Sequence, residues 1–354
     1  MRPEALLGTA DLPDALRALL KRVSRSFYLS LAILPVSLRR PISLAYLLAR
    51  TADTITDTRI LPRTDRLRYL DAFRAELDSS SPPRLAEIGG ALGVPQRLPV
   101  ERELLACLPE CFRLFRALPE GDYARIRTLL LALIQGMRED LRTFPGESQE
   151  NLVALESQAD LERYTYYAAG CVGEFWTDMT MAHRPGLLHW DAAAMRRRGI
   201  CFGQGLQMTN VLRDLAHDCR IGRCYLPRQD LHALGLSVND LLDPLTLERL
   251  QPLLRELLRL SLGYYAEGWR YLLAIPPKEI RLRLACAWPL FIGLRTLEVV
   301  QRSHNLLDPH ITVKISRSAV YAIMARSTLL VFSDGALERY YRVLRNRIRT
   351  PIDV

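Results

Sequence analysis

Two acidic stretches, each set in an apolar helical run, constrain this chain more than any other feature of its sequence. The first runs from Tyr46 to Asp57 and the second from Gln207 to Asp218. An α-helix turns by about 100° per residue. The polar residues of each stretch therefore share one strip, roughly 60° wide in the first and roughly 80° wide in the second. The strips contain Tyr46, Arg50, Asp53 and Asp57 in the first, and Gly203, Gln207, Asn210, Asp214 and Asp218 in the second.

Each strip ends in two aspartates one helical turn apart, which is unfavourable unless something compensates the charge. Like charges at this spacing repel by a few tenths of a kcal/mol, and aspartate is a poor residue for a helix interior. Mg²⁺ is a natural compensating ion because it binds carboxylates together with phosphate oxygens and water. Two such pairs facing each other would hold Mg²⁺ against a diphosphate. Spacing alone leaves open the alternative that both strips are solvated helix surfaces.

The rest of the chain has the composition of an all-α protein. Leucine, alanine and arginine dominate, and β-branched alternation is scarce. A length of 354 residues would allow two average domains, but all-helical chains of this length often form one. We predict a loop at 222–227 and long helices at 64–78, 120–143, 158–181, 190–218, 247–273 and 278–301.

Charge and cysteine content narrow the partners and the compartment. The net charge is +9, which suits an anionic lipid surface or a phosphorylated substrate. No aromatic-interleaved basic motif is present, so nucleic acid is not a predicted partner. Seven cysteines without a C-x-x-C pair indicate a reducing compartment. Because we find neither a signal peptide nor a predicted transmembrane helix, we expect a cytoplasmic protein, either soluble or peripheral to the inner face of the membrane.

Five sequence blocks stand out along the chain: Ser24-Arg25-Ser26-Phe27, Tyr46-x-x-x-Arg50-x-x-Asp53-x-x-x-Asp57, Tyr164-x-x-Tyr167-x-Ala169-Gly170-x-Val172-Gly173, Gln207-x-Thr209-Asn210-x-x-Arg213-Asp214-x-x-x-Asp218 and Gly222-Arg223-x-Tyr225-Leu226-Pro227. In this order they resemble the squalene and phytoene synthase family, the head-to-head prenyl transferases. A sixth block, Val313 to Val320, resembles the late basic motif of the family's squalene synthases, which phytoene synthases lack.

The resemblance implies one all-α isoprenoid synthase domain over residues 1–354, built around a central cavity, with 303–354 as a helical extension packed on it. It implies Mg²⁺-dependent condensation of two farnesyl diphosphates to presqualene diphosphate, then NADPH-dependent rearrangement and reduction to squalene. A phytoene or dehydrosqualene synthase that needs no NADPH, and an enzyme that forms hydroxysqualene, remain alternatives. The non-enzymatic alternative is an inactive helical assembly factor, although all four motif aspartates are present.

The resemblance also assigns roles to single residues. It implies that Asp53, Asp57, Asp214 and Asp218 bind Mg²⁺ bridged to diphosphate. Tyr164 is expected to assist proton loss and steer the cyclopropyl intermediate, with a core tyrosine as the alternative. The remaining expected residues contact substrate (Ser24, Ser26, Phe27, Tyr46, Arg50, Gln207 and Asn210), phosphate oxygens (Arg25, Arg50 and Arg213) or the phosphates of NADPH (Lys314 and Arg317).

Several of these assignments have structural alternatives. Ser24 and Ser26 have the residue type of helix caps, and Lys314 with Arg317 has the pattern of a solvated basic turn. Arg213 is expected to point roughly 100° away from Asp214. Two departures from the family pattern bear on metal binding, because Thr56 and His217 stand where many squalene synthases have acidic residues.

Overall fold

The structure is a computed structural model that describes residues 12–24, 27–59, 61–78, 88, 90 and 98–348. It is 78% helical, which confirms the predicted all-α class. The helices are α1 (Asp14–Val23), α2 (Phe27–Ala32), α3 (Val36–Asp57), α4 (Arg63–Glu76), α5 (Pro99–Ala106), α6 (Leu108–Arg116), α7 (Glu120–Thr143), α8 (Gln158–Thr165), α9 (Cys171–His183), α10 (Ala192–Arg213), α11 (Leu215–Arg220), α12 (Arg228–Ala233), α13 (Leu247–Ala274), α14 (Ile280–Arg302), α15 (Arg317–Leu330) and α16 (Asp334–Arg345).

The chain forms two compact units. The N-terminal unit comprises Met1–Leu141 and Asp178–Leu188, and the C-terminal unit comprises Arg142–Thr177 and His189–Val354. The expectation of one domain over the whole chain stays a prediction.

Helix α3 is the centre of the N-terminal unit, where it packs against α1, α2, α4, α5 and α6. Its apolar face, including Leu44, Leu48 and Ile55, is fully buried. The end of α3 is held by Arg66 of α4, which is buried and donates from Nη1 to the carbonyl oxygen of Thr56 over 2.9 Å. A cation at a helix C-terminus also complements the helix dipole. The helix that carries the first acidic strip is therefore fixed along its length and at its end.

Helices α10, α13 and α14 form the packed centre of the C-terminal unit. Small residues let these helices approach closely. A Cβ atom at Gly268 of α13 would lie 2.7 Å from the ring of Phe202 on α10, and one at Gly293 of α14 would lie 1.8 Å from the hydroxyl of Tyr265. Both distances are below van der Waals contact, so neither position accommodates a larger residue without movement.

The predicted long helix at 158–181 is divided in the structure. α8 and α9 are joined by a π-helical segment, Tyr166–Gly170. Glycines on both sides let this block approach α10 closely. A Cβ atom built at Gly173 of α9 would lie 1.9 Å from Gly199 O, and one at Gly203 of α10 would lie 2.2 Å from Ala169 O. The small residues of this block thus serve backbone-to-backbone packing.

The loop predicted at 222–227 is wrong, because Arg223–Pro227 forms a short strand, β2. It pairs in parallel with β1, Val153–Leu155. Gly222 precedes the strand with φ of 83°, a left-handed conformation that glycine adopts without strain. Five residues without clear alternation gave no strand signal in the sequence, and their partner lies about 70 residues earlier in the chain.

The segment after residue 303 ends in two helices that pack on the C-terminal unit. α15 and α16 both contact α14. The ring of Tyr341 stacks on Trp269 at 4.5 Å between centroids, and Tyr340 meets Phe291 edge-on at 4.9 Å. Among the described residues, α14 is the one helix whose length and composition would allow a membrane crossing, but 72% of its apolar window is buried, as in a core helix.

Substituting Gly173 by alanine should destabilise the protein by about 1–3 kcal/mol, because the new methyl group overlaps the carbonyl of Gly199. Gly263→Ala in α13 is a matched control, since no heavy atom of the described residues lies within 4 Å of the position that its methyl group would take. That change should be neutral or stabilising by up to about 1 kcal/mol. Thermal unfolding of both variants measures the difference, and equal melting temperatures would refute the close packing.

Candidate active site

The first acidic strip lies on one continuous helix, α3, as the spacing predicted. Tyr46, Arg50 and Asp53 are partly accessible and Asp57 is exposed, whereas the intervening Leu47, Leu48, Thr51 and Ala52 are buried. Nη1 of Arg50 lies 3.9 Å from Oδ2 of Asp53. Arg50 therefore partly neutralises the first aspartate of the pair, which is the alternative to phosphate binding that its position on the strip suggested.

A second carboxylate, which the sequence did not indicate, holds Arg50 from the other side. Nη2 of Arg50 donates to Oε1 of Glu101 over 3.3 Å, and the Glu101 side chain is only 17% exposed. Glu101 lies on α5, about 50 residues after the strip, in a stretch with no motif of its own. Only the packing of α5 against α3 brings it there, so Glu101 is a site residue that sequence reasoning missed.

Asp53 is in a costly environment for a charge. Its side chain is partly accessible, yet it is densely surrounded by protein atoms. This partial desolvation raises the pKa of Asp53 to about 7; the charge of Asp57 one turn away adds to the shift, and Arg50 opposes it. A carboxylate in such a position gains from a nearby cation, because the cation stabilises the charged form.

Thr56, where many relatives have a carboxylate, is turned into the protein. It is buried, and its hydroxyl donates to the carbonyl oxygens of Ala52 and Asp53 over 2.8 and 3.0 Å. The corresponding residue of the second motif, His217, is exposed. Neither side chain supplies the oxygen ligand that the family pattern provides there.

The predicted substrate residues before α3 have mixed outcomes. Ser24 is buried and its hydroxyl donates to the carbonyl oxygen of Leu20 over 2.5 Å, at the end of α1. This contact favours the capping alternative for Ser24, at a C-terminus rather than an N-terminus. Tyr46 donates to the carbonyl oxygen of Val23 over 3.4 Å. Arg25, Ser26 and the side chain of Phe27 lie outside the described residues.

The second acidic strip is interrupted, so its prediction as one helix is wrong. α10 ends at Arg213, Asp214 takes φ −98° and ψ 8°, and α11 begins at Leu215. The spacing of the two aspartates survives, because the N–H of Asp218 still donates to the carbonyl oxygen of Asp214 over 2.9 Å. Aspartate is a weak helix former, which makes this position a natural place for the helix to break.

Because the helix breaks here, the Arg213 side chain points toward Asp214 and not away from it as predicted. Its Nε donates to Oδ1 of Asp214 over 2.7 Å, and its Nη2 contacts Oδ2, a two-point contact between neighbours in sequence. An unbroken helix would have separated the two side chains. The guanidinium raises the local positive charge at the second carboxylate pair, as Arg50 does at the first.

A chain of hydrogen bonds joins three predicted residues in the C-terminal unit. Nδ2 of Asn210 donates to Oε1 of Gln207 over 3.2 Å, and Nε2 of Gln207 donates to the hydroxyl oxygen of Tyr164 over 2.8 Å. Gln207 and Asn210 lie on the second strip, and Tyr164 lies on α8. The structure thus assembles a tyrosine and two amides beside the second strip.

Tyr225 fixes the ring of Tyr164. The two rings stack at 4.1 Å between centroids and 21° between planes, and Phe144 meets Tyr225 edge-on at 5.2 Å. Such aromatic contacts contribute about 0.5–1.5 kcal/mol each beyond area burial. Tyr225 belongs to a block that resembles the family, but the sequence assigned it no role; strand β2 gives it one.

Lys314 and Arg317, the residues predicted to meet NADPH, are both exposed. Lys314 lies in the irregular segment before α15, and Arg317 is the first residue of that helix. The hydroxyl of Ser316 accepts from the N–H of Ala319 over 3.1 Å and caps α15. The pair is accessible to a ligand from solvent, and it is equally compatible with a solvated basic turn.

The donor atoms of the two strips fit Mg²⁺ better than a softer metal. Within the described ranges, no group of three or more His, Cys, Asp or Glu residues is placed to hold a metal. Each motif instead offers a pair of carboxylates. Oxygen-only, incomplete ligand sets are typical of Mg²⁺ sites that substrate phosphates and water complete.

Comparison with known proteins identifies a protein family that this chain matches. The model of the squalene/phytoene synthase family matches residues 20–319. Squalene synthase from Eremothecium gossypii is 25% identical over 346 residues, 96% of this chain and 73% of that protein. The bifunctional lycopene cyclase/phytoene synthase of Colletotrichum graminicola is 29% identical over 258 residues, 71% of this chain but only 40% of that protein.

The fold has a solved counterpart. The structure of TcSQS in complex with the ligand BPH1237 superposes with a TM-score of 0.77 at 22% identity, covering 97% of this chain and 94% of that chain. This likeness confirms the terpenoid synthase type of helical fold. The predicted family resemblance is confirmed by the family match.

The raised pKa of Asp53 predicts a specific pH dependence of stability in the metal-free protein. Between the ordinary carboxyl pKa near 4 and about 7, the folded state binds more protons than the unfolded state, so stability falls as pH rises. Asp53→Asn removes this cost. Its melting temperature should exceed that of the unaltered protein at pH 8 and should lose this advantage near pH 4. A difference that does not vary with pH would contradict the assignment.

Proposed function

Because the chain belongs to the squalene/phytoene synthase family, we propose that it is a squalene synthase. It would condense two molecules of farnesyl diphosphate to presqualene diphosphate and then, with NADPH, form squalene. The predicted class, a prenyltransferase, is confirmed by the family. The product is the proposal, and one observation carries it: a squalene synthase relative aligns over 96% of this chain, which must include part of the region beyond residue 319, whereas the family model ends at 319.

The four motif aspartates are the proposed metal ligands. In each unit a carboxylate pair one turn apart carries an adjacent arginine: Arg50 beside Asp53, and Arg213 on Asp214. When bound, Mg²⁺ would act as a Lewis acid that stabilises the charge on the departing diphosphate. The residues of the chain would orient that diphosphate, and the arginines would add charge-assisted hydrogen bonds to its oxygens.

Arg50 is the better placed of the two arginines for phosphate binding. Glu101 holds one of its terminal nitrogens, and the other lies toward Asp53 at 3.9 Å, longer than a hydrogen bond. The guanidinium is therefore oriented before any substrate arrives. Pre-orientation lowers the entropy lost when a phosphate binds, so Glu101 supports substrate binding without touching the substrate.

Tyr164 is the proposed residue for proton loss and for control of the cyclopropyl intermediate. Gln207 donates to its oxygen and Tyr225 stacks on its ring. These two contacts fix the position and tilt of the phenol. A fixed hydroxyl at the second strip can direct a proton toward one acceptor, and the diphosphate is such an acceptor.

Lys314 and Arg317 are the proposed contacts for the phosphates of NADPH. Their exposure and their position at the start of α15 support this role. A relative of the phytoene synthase type is 29% identical over 71% of the chain. That similarity favours, as a second candidate, a phytoene or dehydrosqualene synthase that works without NADPH.

The proposed reaction joins two substrates that each have a phosphorylated, water-soluble head group and an apolar tail, and it releases an apolar product. A protein with such substrates and a net charge of +9 is suited to the surface of an anionic membrane. We therefore propose peripheral membrane contact. The cysteines are free thiols, which is consistent with a reducing compartment.

Incubating the purified protein with farnesyl diphosphate and Mg²⁺, with and without NADPH, distinguishes the candidates by product mass. Squalene should form only with NADPH, and presqualene diphosphate should accumulate without it. Dehydrosqualene or hydroxysqualene as the final product, or no dependence on NADPH, would refute the proposed product.

Lys314→Ala with Arg317→Ala should raise the KM for NADPH and leave presqualene diphosphate formation unchanged.

The metal assignment is tested by Asp53→Asn combined with Asp214→Asn. Loss of a carboxylate from each pair should lower turnover by at least about a hundredfold, because charge stabilisation of the leaving group is lost, while far-ultraviolet circular dichroism shows a retained helical fold. Removing Mg²⁺ with a chelator should have the same effect. Asp65→Asn is the control, because Asp65 is a partly exposed residue of α4 paired with Arg68. Turnover retained in the double variant would exclude these aspartates as metal ligands.

A further inference from the structure

Exposed apolar side chains are concentrated in one part of the C-terminal unit. Among the described residues, ten large apolar side chains are exposed, and half of them lie in 311–343, a tenth of the chain. Scattered single residues of this kind are ordinary, but a concentration marks an interaction surface. The five are Ile311, Tyr321, Leu329, Phe332 and Val343.

Two of the five, Tyr321 and Leu329, lie on one strip of α15, and a third, Phe332, follows the end of the helix. Tyr321, Ala325 and Leu329 are spaced by four residues, so they fall within roughly 80° of the helix surface. Val331 keeps helical dihedral angles, φ −60° and ψ −20°, and this places Phe332 within the same strip. Tyr321 and Phe332 are both 63% exposed, and Leu329 is 79% exposed. We call this set, Tyr321, Ala325, Leu329 and Phe332, the outer face of α15.

The opposite side of α15 packs on the protein. Ile323, Ser327 and Val331 are buried, and α15 contacts α14 and α16. The helix is thus already anchored by one face. Its outer face is apolar from Tyr321 onward, with exposed Ser318 at its N-terminal end and exposed Thr328 about 20° from its edge, and no described part of the chain covers it. An apolar face that folding does not use is left for an external partner.

The charge around the outer face is strongly positive. Residues 314–348 contain seven lysines and arginines and two acidic residues, giving +5 of the chain's total of +9. Both acidic residues are engaged: Asp334 with the buried Arg283, and Glu338 with Trp269 and Arg342. Arg317 and Arg326 lie on α15 about 80° and 100° to either side of the outer face.

We propose that the outer face of α15 docks on an anionic lipid bilayer. The purpose of this docking, release of an apolar product, rests on the proposed function. Tyrosine, leucine and phenylalanine suit the boundary between head groups and acyl chains, and a helix of this kind inserts by about 5–10 Å. Arg326 beside it reaches lipid phosphates while its aliphatic stem stays near the apolar strip. Shallow docking would let an apolar product pass into the bilayer.

The charge pattern favours lipid over a second copy of this chain. Pairing the outer face with itself would bring two basic rims together, and like charges across an interface are repulsive. An anionic bilayer satisfies the apolar strip and the arginines at once. Each basic residue near such a surface adds electrostatic attraction, and this part weakens as salt rises.

Vesicle flotation of the whole protein tests the proposal without any substrate. The protein should bind vesicles that contain phosphatidylglycerol, bind pure phosphatidylcholine weakly, and detach from the anionic vesicles in high salt. Leu329→Glu with Phe332→Glu should weaken binding to the anionic vesicles by at least about tenfold, because both apolar contacts are lost and two negative charges are added.

Leu188→Glu with Leu245→Glu is the matched control, since these leucines are 74% and 85% exposed and lie outside the outer face. This double variant should bind like the unaltered protein. Equal loss in both double variants, or no binding to anionic vesicles by the unaltered protein, would overturn the proposal. A dimer that sedimentation equilibrium detects and that Leu329→Glu dissociates would also overturn the proposal. Binding of the protein to an acidic protein but not to anionic vesicles would do the same.

The proposed function and the proposed lipid-docking surface can be refuted independently of each other. The Leu329→Glu, Phe332→Glu variant should keep full turnover when substrate is supplied in detergent, because neither residue belongs to the acidic strips or to the Tyr164 cluster. A protein that binds vesicles but forms no prenyl product would refute the proposed function and leave the surface intact. Turnover without vesicle binding would refute the surface alone.

Discussion

The charge of Asp53 is the constraint on which the first acidic pair, in the N-terminal unit, depends. This carboxylate is held among protein atoms and one turn from Asp57, where its ionised form is costly. Arg50 relieves only part of that cost, because it is shared with Glu101 and lies 3.9 Å from Asp53. The fold thus keeps a carboxylate pair that a bound cation would stabilise. Such sites exchange stability for a function that needs concentrated charge.

That charge can be held in place because the helix that carries it is rigid. α3 is buried along Leu44, Leu48 and Ile55, and Arg66 caps its last turn. The C-terminal unit reaches the same end by other means. Glycines let the α9 and α10 backbones touch, and Tyr225 with Gln207 fixes the phenol of Tyr164. In both units the polar groups are positioned by close apolar packing beneath them.

The arginines show how local and tertiary effects combine. On an ideal helix Arg213 would diverge from Asp214, but the chain breaks at Asp214 and the two side chains meet. Arg50 keeps its helical position and still acquires a partner from α5. Each acidic pair therefore carries one guanidinium, through a helix break in one unit and through helix packing in the other.

The helical class, the family and the residues of each acidic strip can be read from the amino-acid sequence alone. These follow from periodicity and from local spacing, which a helix translates directly into a shared face. Tertiary structure alone decided that Glu101 holds Arg50, that Tyr225 stacks on Tyr164, and that 223–227 is a strand. Each of these depends on contacts between segments that are distant in sequence. The exposed outer face of α15 belongs with them, because a row of apolar residues in a sequence looks the same whether a neighbour covers it or not.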